Sequence, residues 1–200
     1  MTLQQTPHDI QGHREITATG IPSGKLGMWL FLASEVMFFT GLLGAYIVLR
    51  AGFPNWPKPG EELVIPLAAL NTFILLSSSM TMALSVAAVH HADLKKVRLF
   101  LLLTILLGSA FLGVKGYEYS MKFAHGHYPG TGLFWDCYFT LTGFHGLHVL
   151  AGIITNLWVV RLTLRPGFLE KKGHIVELSG LYWHFVDVVW ILLFPMVYLL

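Results

Sequence analysis

Charge is what this 200-residue sequence has least of. Its 13 lysines and arginines and 11 acidic residues make 12% charged content, about half the roughly 25% of a soluble domain. A water-facing globule of this length is thereby excluded. Cysteine is nearly absent as well: the single Cys137 rules out an internal disulfide framework and any cysteine-built zinc or iron–sulfur site. The net charge of +2 comes without a basic tract, a GxGxxG or a GxxxxGK[ST] motif, so neither nucleic acid nor nucleotide is an expected partner. What fills the space is apolar: 54% hydrophobic residues and a mean hydropathy of +0.63, the signature of a polytopic helical membrane protein.

A helix rising 1.5 Å per residue needs about 20 apolar residues to cross some 30 Å of hydrocarbon. Five segments meet that need, at about Leu26–Leu49, Leu63–Val89, Val97–Lys115, Leu133–Val160 and Leu178–Leu200. Strands are the poorer reading, because the runs are continuous rather than alternating. The expected fold class is all-α, a five-helix transmembrane bundle over residues 25–200, preceded by a polar tail over residues 1–24 that lacks a secretory h-region. If the helices alternate, Arg14, Lys25, Lys95, Lys96, Arg98, Arg161, Arg165, Lys171 and Lys172 share one side, and Arg50, Lys58, Lys115 and Lys122 the other. The excess of positive charge belongs to the cytoplasm. This places the N-terminus inside and the C-terminus on the periplasmic side.

Ionisable residues at membrane depth are costly, and each is a candidate functional residue. Glu35 stands among Phe31, Phe38 and Phe39 in the first segment. Such a carboxyl is expected to exchange protons, touch a headgroup, or bond to a histidine of the fourth segment. There, Tyr138, Thr142, His145, Gly152 and Asn156 fall on one helical stripe bordered by His148, and lipid cannot satisfy it. His145 and His148 could share a metal ion, but they cannot supply the two opposed axial ligands of one haem, and hydrogen-bonded packing is the plainer role. In the fifth segment Glu177, His184 and Asp187 follow one another along a face, able to relay protons or satisfy each other. Ser77-Ser-Ser-Met-Thr81 and Asn71 suit close helix packing in the second segment, His90 and His91 suit its end, and Glu118 suits an interfacial ion pair with Lys115 or Lys122.

Four stretches in order carry a resemblance: Ser34-Glu-Val-Met-Phe-Phe-Thr-Gly41; Leu70-Asn-Thr72 with His90-His91 downstream; Thr142-Gly-Phe-His-Gly-Leu-His-Val149; and Tyr182-Trp-His-Phe-Val-Asp-Val-Val-Trp190. From about Gly24 onward the chain resembles subunit III of haem-copper terminal oxidases, the cytochrome c and quinol oxidases, in its shorter five-helix bacterial form. The resemblance implies an accessory, non-catalytic subunit of a proton-pumping enzyme that reduces oxygen to water. It implies no cofactor or metal on this chain, with haem and copper on partner subunits. It implies direct packing on subunit I, with subunit II and small subunits in the complex. Further partners are membrane lipids, including bound phospholipid, and a larger respiratory supercomplex. A role in proton uptake and active-site stability, and a place in the bacterial inner membrane, follow from the same resemblance. It assigns Glu35, His145, His148, Glu177, His184 and Asp187 to one interhelical polar network beside a lipid cleft, and gives no role to Asp136 or Cys137. Two other readings stand beside it: an accessory protein of a nitric oxide reductase system, and an independent membrane metal or haem protein.

Overall fold

A computed structural model of the chain describes residues 23–199; the tail expected over residues 1–24 lies almost wholly outside them. Its elements are α1 (Ser23–Gly52), a short α2 (Pro59–Glu62), α3 (Ile65–His90), α4 (Leu94–Ala124), α5 (Leu133–Thr163), a short α6 (Phe168–Lys172) and α7 (His174–Phe194), followed by a π-helical turn at Pro195–Leu199. No strand occurs among the described residues. The five long helices are each long and apolar enough to span a membrane, α7 together with its π turn.

The expected spans hold except at the ends of the third and the start of the fifth. α4 was expected to stop at Lys115, yet it runs to Ala124, 31 residues in all and about 46 Å at 1.5 Å per residue. Lys115 is no boundary because its charge is satisfied inside the protein. α7 begins at His174, ahead of the expected Leu178, so Glu177 lies in its first turn.

α3, α4, α5 and α7 form a closed ring, each packed on two neighbours, and α1 leans on α7 and more lightly on α5. The buried residues of α4 are Val97, Leu101, Thr104, Gly108, Phe111, Lys115 and Glu118, spaced alternately four and three apart. α3 repeats the pattern in Ala68, Asn71, Leu75, Ser78, Met82 and Ser85, and α5 in Trp135, Tyr138, Thr142, His145, Val149, Gly152, Asn156 and Val159. A 3.5-residue repeat is the seam of a left-handed bundle. Here the seam carries the polar and small residues while large apolar side chains such as Phe73, Leu106, Leu147 and Ile154 face outward. Lipid matches the outer face, so packing and hydrogen bonds hold the helices together.

Small residues set the spacing around one side chain. Trp183 of α7 is fully buried, with its six-membered ring against Gly108 of α4 and Gly152 of α5 and its indole N–H donating to Ser78 Oγ of α3 at 3.1 Å. All four ring helices thus meet at one residue. The turn from α3 to α4 is a Schellman motif: Asp93 N–H donates to Ala88 O at 3.1 Å and Ala92 N–H to Val89 O at 3.0 Å. Its left-handed residue is Ala92, at φ 53°, where glycine is usual. Asp93 then caps α4, accepting from Lys96 N–H at 3.1 Å, and that backbone donor holds its carboxyl below the usual aspartate range.

Candidate functional site

The two candidates that meet directly are Glu35 and His148. α1 buries one residue every two turns, Leu32, Phe39 and Tyr46, which brings Glu35 to the flank facing α5. His148 Nε2 lies 3.0 Å from Glu35 Oε2, and each side chain is about four-fifths buried. The other ring nitrogen, Nδ1, lies 2.7 Å from Phe144 O; a carbonyl only accepts, so Nδ1 carries a hydrogen. The Nε2···Oε2 contact therefore holds one proton between the two groups, as imidazolium with carboxylate or imidazole with carboxylic acid. Phe38 and Phe39 flank the imidazole, and the Tyr182 hydroxyl donates to His148 O at 3.1 Å.

The remaining four candidates are held apart from this pair, so the six do not form one continuous network. Glu177 pairs with Lys25 of α1 at 2.9 Å. His184 Nδ1 is 2.8 Å from Ser79 Oγ of α3. Asp187 is 3% exposed, and neither carboxyl oxygen completes a hydrogen bond. His145 is fully buried, stacked on Trp190 at 5.0 Å and edge-on to Phe111 at 5.7 Å, with both ring nitrogens unpaired. The cause is angular. His145 and His148 point to different sides of α5, and on α7 Glu177 meets α1 through Lys25, His184 meets α3 through Ser79, and Asp187 is buried without a hydrogen-bond partner. Among the described residues no three His, Cys, Asp or Glu side chains are grouped to hold a metal ion.

The stripe expected on α5 is buried as a whole: Tyr138, Thr142, His145, Gly152 and Asn156 all lie inside. Asn156 Oδ1 accepts from Ser179 at 2.7 Å, and Thr142 passes its own proton to Tyr138 O at 2.6 Å while receiving that of Tyr119 at 2.6 Å. On α3, Ser78 meets Trp183, Ser79 meets His184, and Thr81 shares a 2.8 Å bond with Thr104 of α4. Asn71 Nδ2 donates to Phe111 O at 3.3 Å.

Sequence reasoning missed the densest polar group. Lys115 and Glu118 are 6% and 3% exposed, a buried pair rather than an interfacial one. Lys115 Nζ donates to Glu118 Oε2 at 3.0 Å and to Tyr198 Oη at 2.5 Å. The Tyr138 and Tyr198 hydroxyls both donate to Glu118 Oε1, at 2.9 and 3.0 Å. The ammonium also lies 5.1–5.6 Å from the ring centres of Tyr119, Tyr138, Trp190 and Tyr198, close enough for cation–π attraction. A buried ion pair persists only when its remaining lone pairs and protons are satisfied in this way. The spacing of Lys115 and Glu118, one turn apart, was visible; the two tyrosines that complete the group come from distant helices.

In the first turn of α5, Asp136 Oδ1 accepts from Gly130 N–H at 2.6 Å and ties the preceding loop to the helix. Cys137 is a free, half-buried thiol. His127 stacks on Trp135 at 4.2 Å, and Lys122 stands 5.3 Å above the same ring.

Comparison with known proteins supplies the frame for this geometry. The family model described as cytochrome c oxidase subunit III matches residues 7–200. The cytochrome c oxidase subunit 3 of Synechocystis is 40% identical over 98% of this chain and 82% of its own length. That of Thermostichus vulcanus is 39% identical over 88% of this chain and 86% of its own. The quinol oxidase subunit 3 of Bacillus spizizenii is 35% identical over 88% of this chain and 86% of its own. With five membrane-spanning helices and relatives that are subunits of respiratory oxidases, this is a multi-pass membrane protein, and it belongs to the cytochrome c oxidase subunit III family.

Proposed function

We propose that the chain is the accessory subunit III of a proton-pumping haem-copper oxidase that reduces oxygen to water. In this reading it carries no redox centre. It packs on subunit I within a complex that includes subunit II, binds phospholipid, and supports proton uptake and active-site stability. The N-terminus is cytoplasmic and the membrane is the bacterial inner membrane, which the nine-to-four distribution of lysine and arginine supports.

The observation that carries a non-redox role is how the three membrane histidines are spent. His148 contacts Glu35 and Phe144, His184 contacts Ser79, and His145 packs flat on Trp190 and edge-on to Phe111. They meet different neighbours, which supports separate packing roles over a shared ligand set. The outward-facing apolar side chains of α1, Leu30, Met37 and Val48 among them, offer a surface to lipid or to a neighbouring subunit.

Affinity purification of the tagged chain from its native membrane tests the proposal. The expected result is co-purification with haem- and copper-bearing subunits and oxygen consumption by the complex. Stoichiometric haem, iron or copper on the chain purified alone, or partners that reduce nitric oxide and consume no oxygen, would overturn it.

A further inference from the structure

α1 and α3 both rest on α7, and between them on one half of the bundle lies an open cavity of about 450 Å³. Lys25, His90 and Glu177 line it near the helix ends, and Gly180 and His184 line it further along α7. Four of its lining side chains are ionisable, which is unusual for a groove facing lipid. At its floor the His184 ring bonds through Nδ1 to Ser79 Oγ at 2.8 Å. Ser79 is also next to Asp187, one helical turn further in, though the carboxyl completes no hydrogen bond with it. A nearly fully buried carboxyl without a partner is an expensive thing to keep in a bundle whose other polar residues are mostly satisfied.

We propose that Asp187, Ser79 and His184 form a proton-loading site that fills from the side of Lys25 and His90 through this cavity. A proton enters on the imidazole nitrogen that faces the cavity. In the tautomer that carries hydrogen on Nδ1, Nδ1 passes it to Ser79 Oγ, and the Ser79 hydroxyl turns toward the neighbouring Asp187 carboxylate and hands over its own hydrogen. The net change is one proton taken from solution and one carboxylate converted to carboxylic acid, and no oxidant or reductant is involved. The site is a reservoir rather than a channel. The charged and titratable groups around it are Lys25 of α1, His90 of α3, and Glu177 and His184 of α7; α5 contributes His145, buried beside Trp190 on the neighbouring stretch of α7, and the His148–Glu35 pair lies on its flank. The site deepens the reading of this chain as a subunit that supports proton uptake, and rests on it for its use but not for its chemistry.

Infrared spectra of the intact complex, recorded in H2O and after exchange into D2O, test it. Asp187→Asn is expected to remove one protonated-carboxyl C=O band that shifts in D2O in the unsubstituted protein. His184→Phe is expected to keep that band and slow its shift. If Asp187→Asn fails to assemble, Asp187→Glu is expected to move the band rather than remove it. Spectra unchanged by the Asp187 substitutions, or a band that exchanges as fast in His184→Phe, would refute the site; so would a band that never exchanges, as expected if an acyl chain plugs the cavity. The two proposals fail separately. An oxygen-consuming complex with no such band refutes the site alone, and a lost band in a chain without haem-copper partners refutes the oxidase role alone.

Discussion

Adding one methyl group at Gly108 puts the packing around Trp183 to a quantitative test. An alanine Cβ there would stand 2.6 Å from Cη2 and 3.0 Å from Cζ2 of Trp183, whereas carbon atoms pack comfortably at about 3.5–4.0 Å. The ring must therefore retreat by roughly 1 Å. It has nowhere to go: its other edge is so close to Gly152 that a Cβ there would also lie 2.8 Å from the ring, and its indole N–H is tied to Ser78. Overpacking of this kind costs about 1–3 kcal/mol. Against it runs the helix-propensity advantage of alanine over glycine, about 0.8–1 kcal/mol. Gly113 on the same helix has nothing within 4 Å of its Cβ position, so Gly113→Ala isolates that advantage. The difference between the two variants should be the steric cost, a roughly 5- to 150-fold shift in the folded fraction, read by titrating the complex with a denaturing detergent and following retention of the chain. Trp183→Phe removes the ring atoms in question, and in that background the penalty of Gly108→Ala should largely vanish. Equal stability of Gly108→Ala and Gly113→Ala, or a penalty unchanged by Trp183→Phe, would show that Trp183 is not the obstacle.

The same titration serves the other predictions. Lys115→Met leaves Glu118 charged and buried and should cost about 3–5 kcal/mol, while Lys115→Met with Glu118→Gln should cost less than the single change because no lone charge remains. A double-mutant cycle of Glu35→Ala and His148→Ala should give a coupling of about 1.5–3 kcal/mol, the range of charge-assisted hydrogen bonds; additive effects would count against the 3.0 Å contact. Ala92→Gly should stabilise by up to about 1 kcal/mol, the relief of a left-handed alanine less the extra entropy of glycine. The Asp93 cap has a folded-state pKa below its unfolded one. Its contribution is therefore present at pH above the unfolded value and lost as pH falls through the folded one. Asp93→Ala should weaken the start of α4 at neutral pH and make no difference in strong acid.

Much of this architecture was legible before any coordinates, and the parts that were not have physical causes. The spans follow from length and apolarity, and the stripe of α5 follows from helical angle, because a row of Tyr138, Thr142, His145 and Asn156 has nowhere to go but inward. Segment ends were less readable. Lys115 looks like a helix boundary to any count of apolar residues, and only its partners at Tyr138 and Tyr198, 23 and 83 positions away, show that it belongs inside. The six candidates were grouped by their chemistry, but partnership depends on which neighbour each face meets. Glu35 found a histidine; Glu177, in the first turn of α7, found Lys25 instead. Asp187 found no partner at all, which no spacing rule could have announced.

The Lys115 cluster also sets a clock on assembly. Lys115 and Glu118 are synthesised 83 and 80 positions before Tyr198. At some 5–20 residues per second, α4 waits roughly 4 to 17 s for its last hydrogen-bond donor. During that interval the ion pair is shielded by its own helix, then also by Tyr138 and, near the end, by Trp190. The group is thus incomplete until the final turn arrives, and a translational pause before it would lengthen that interval.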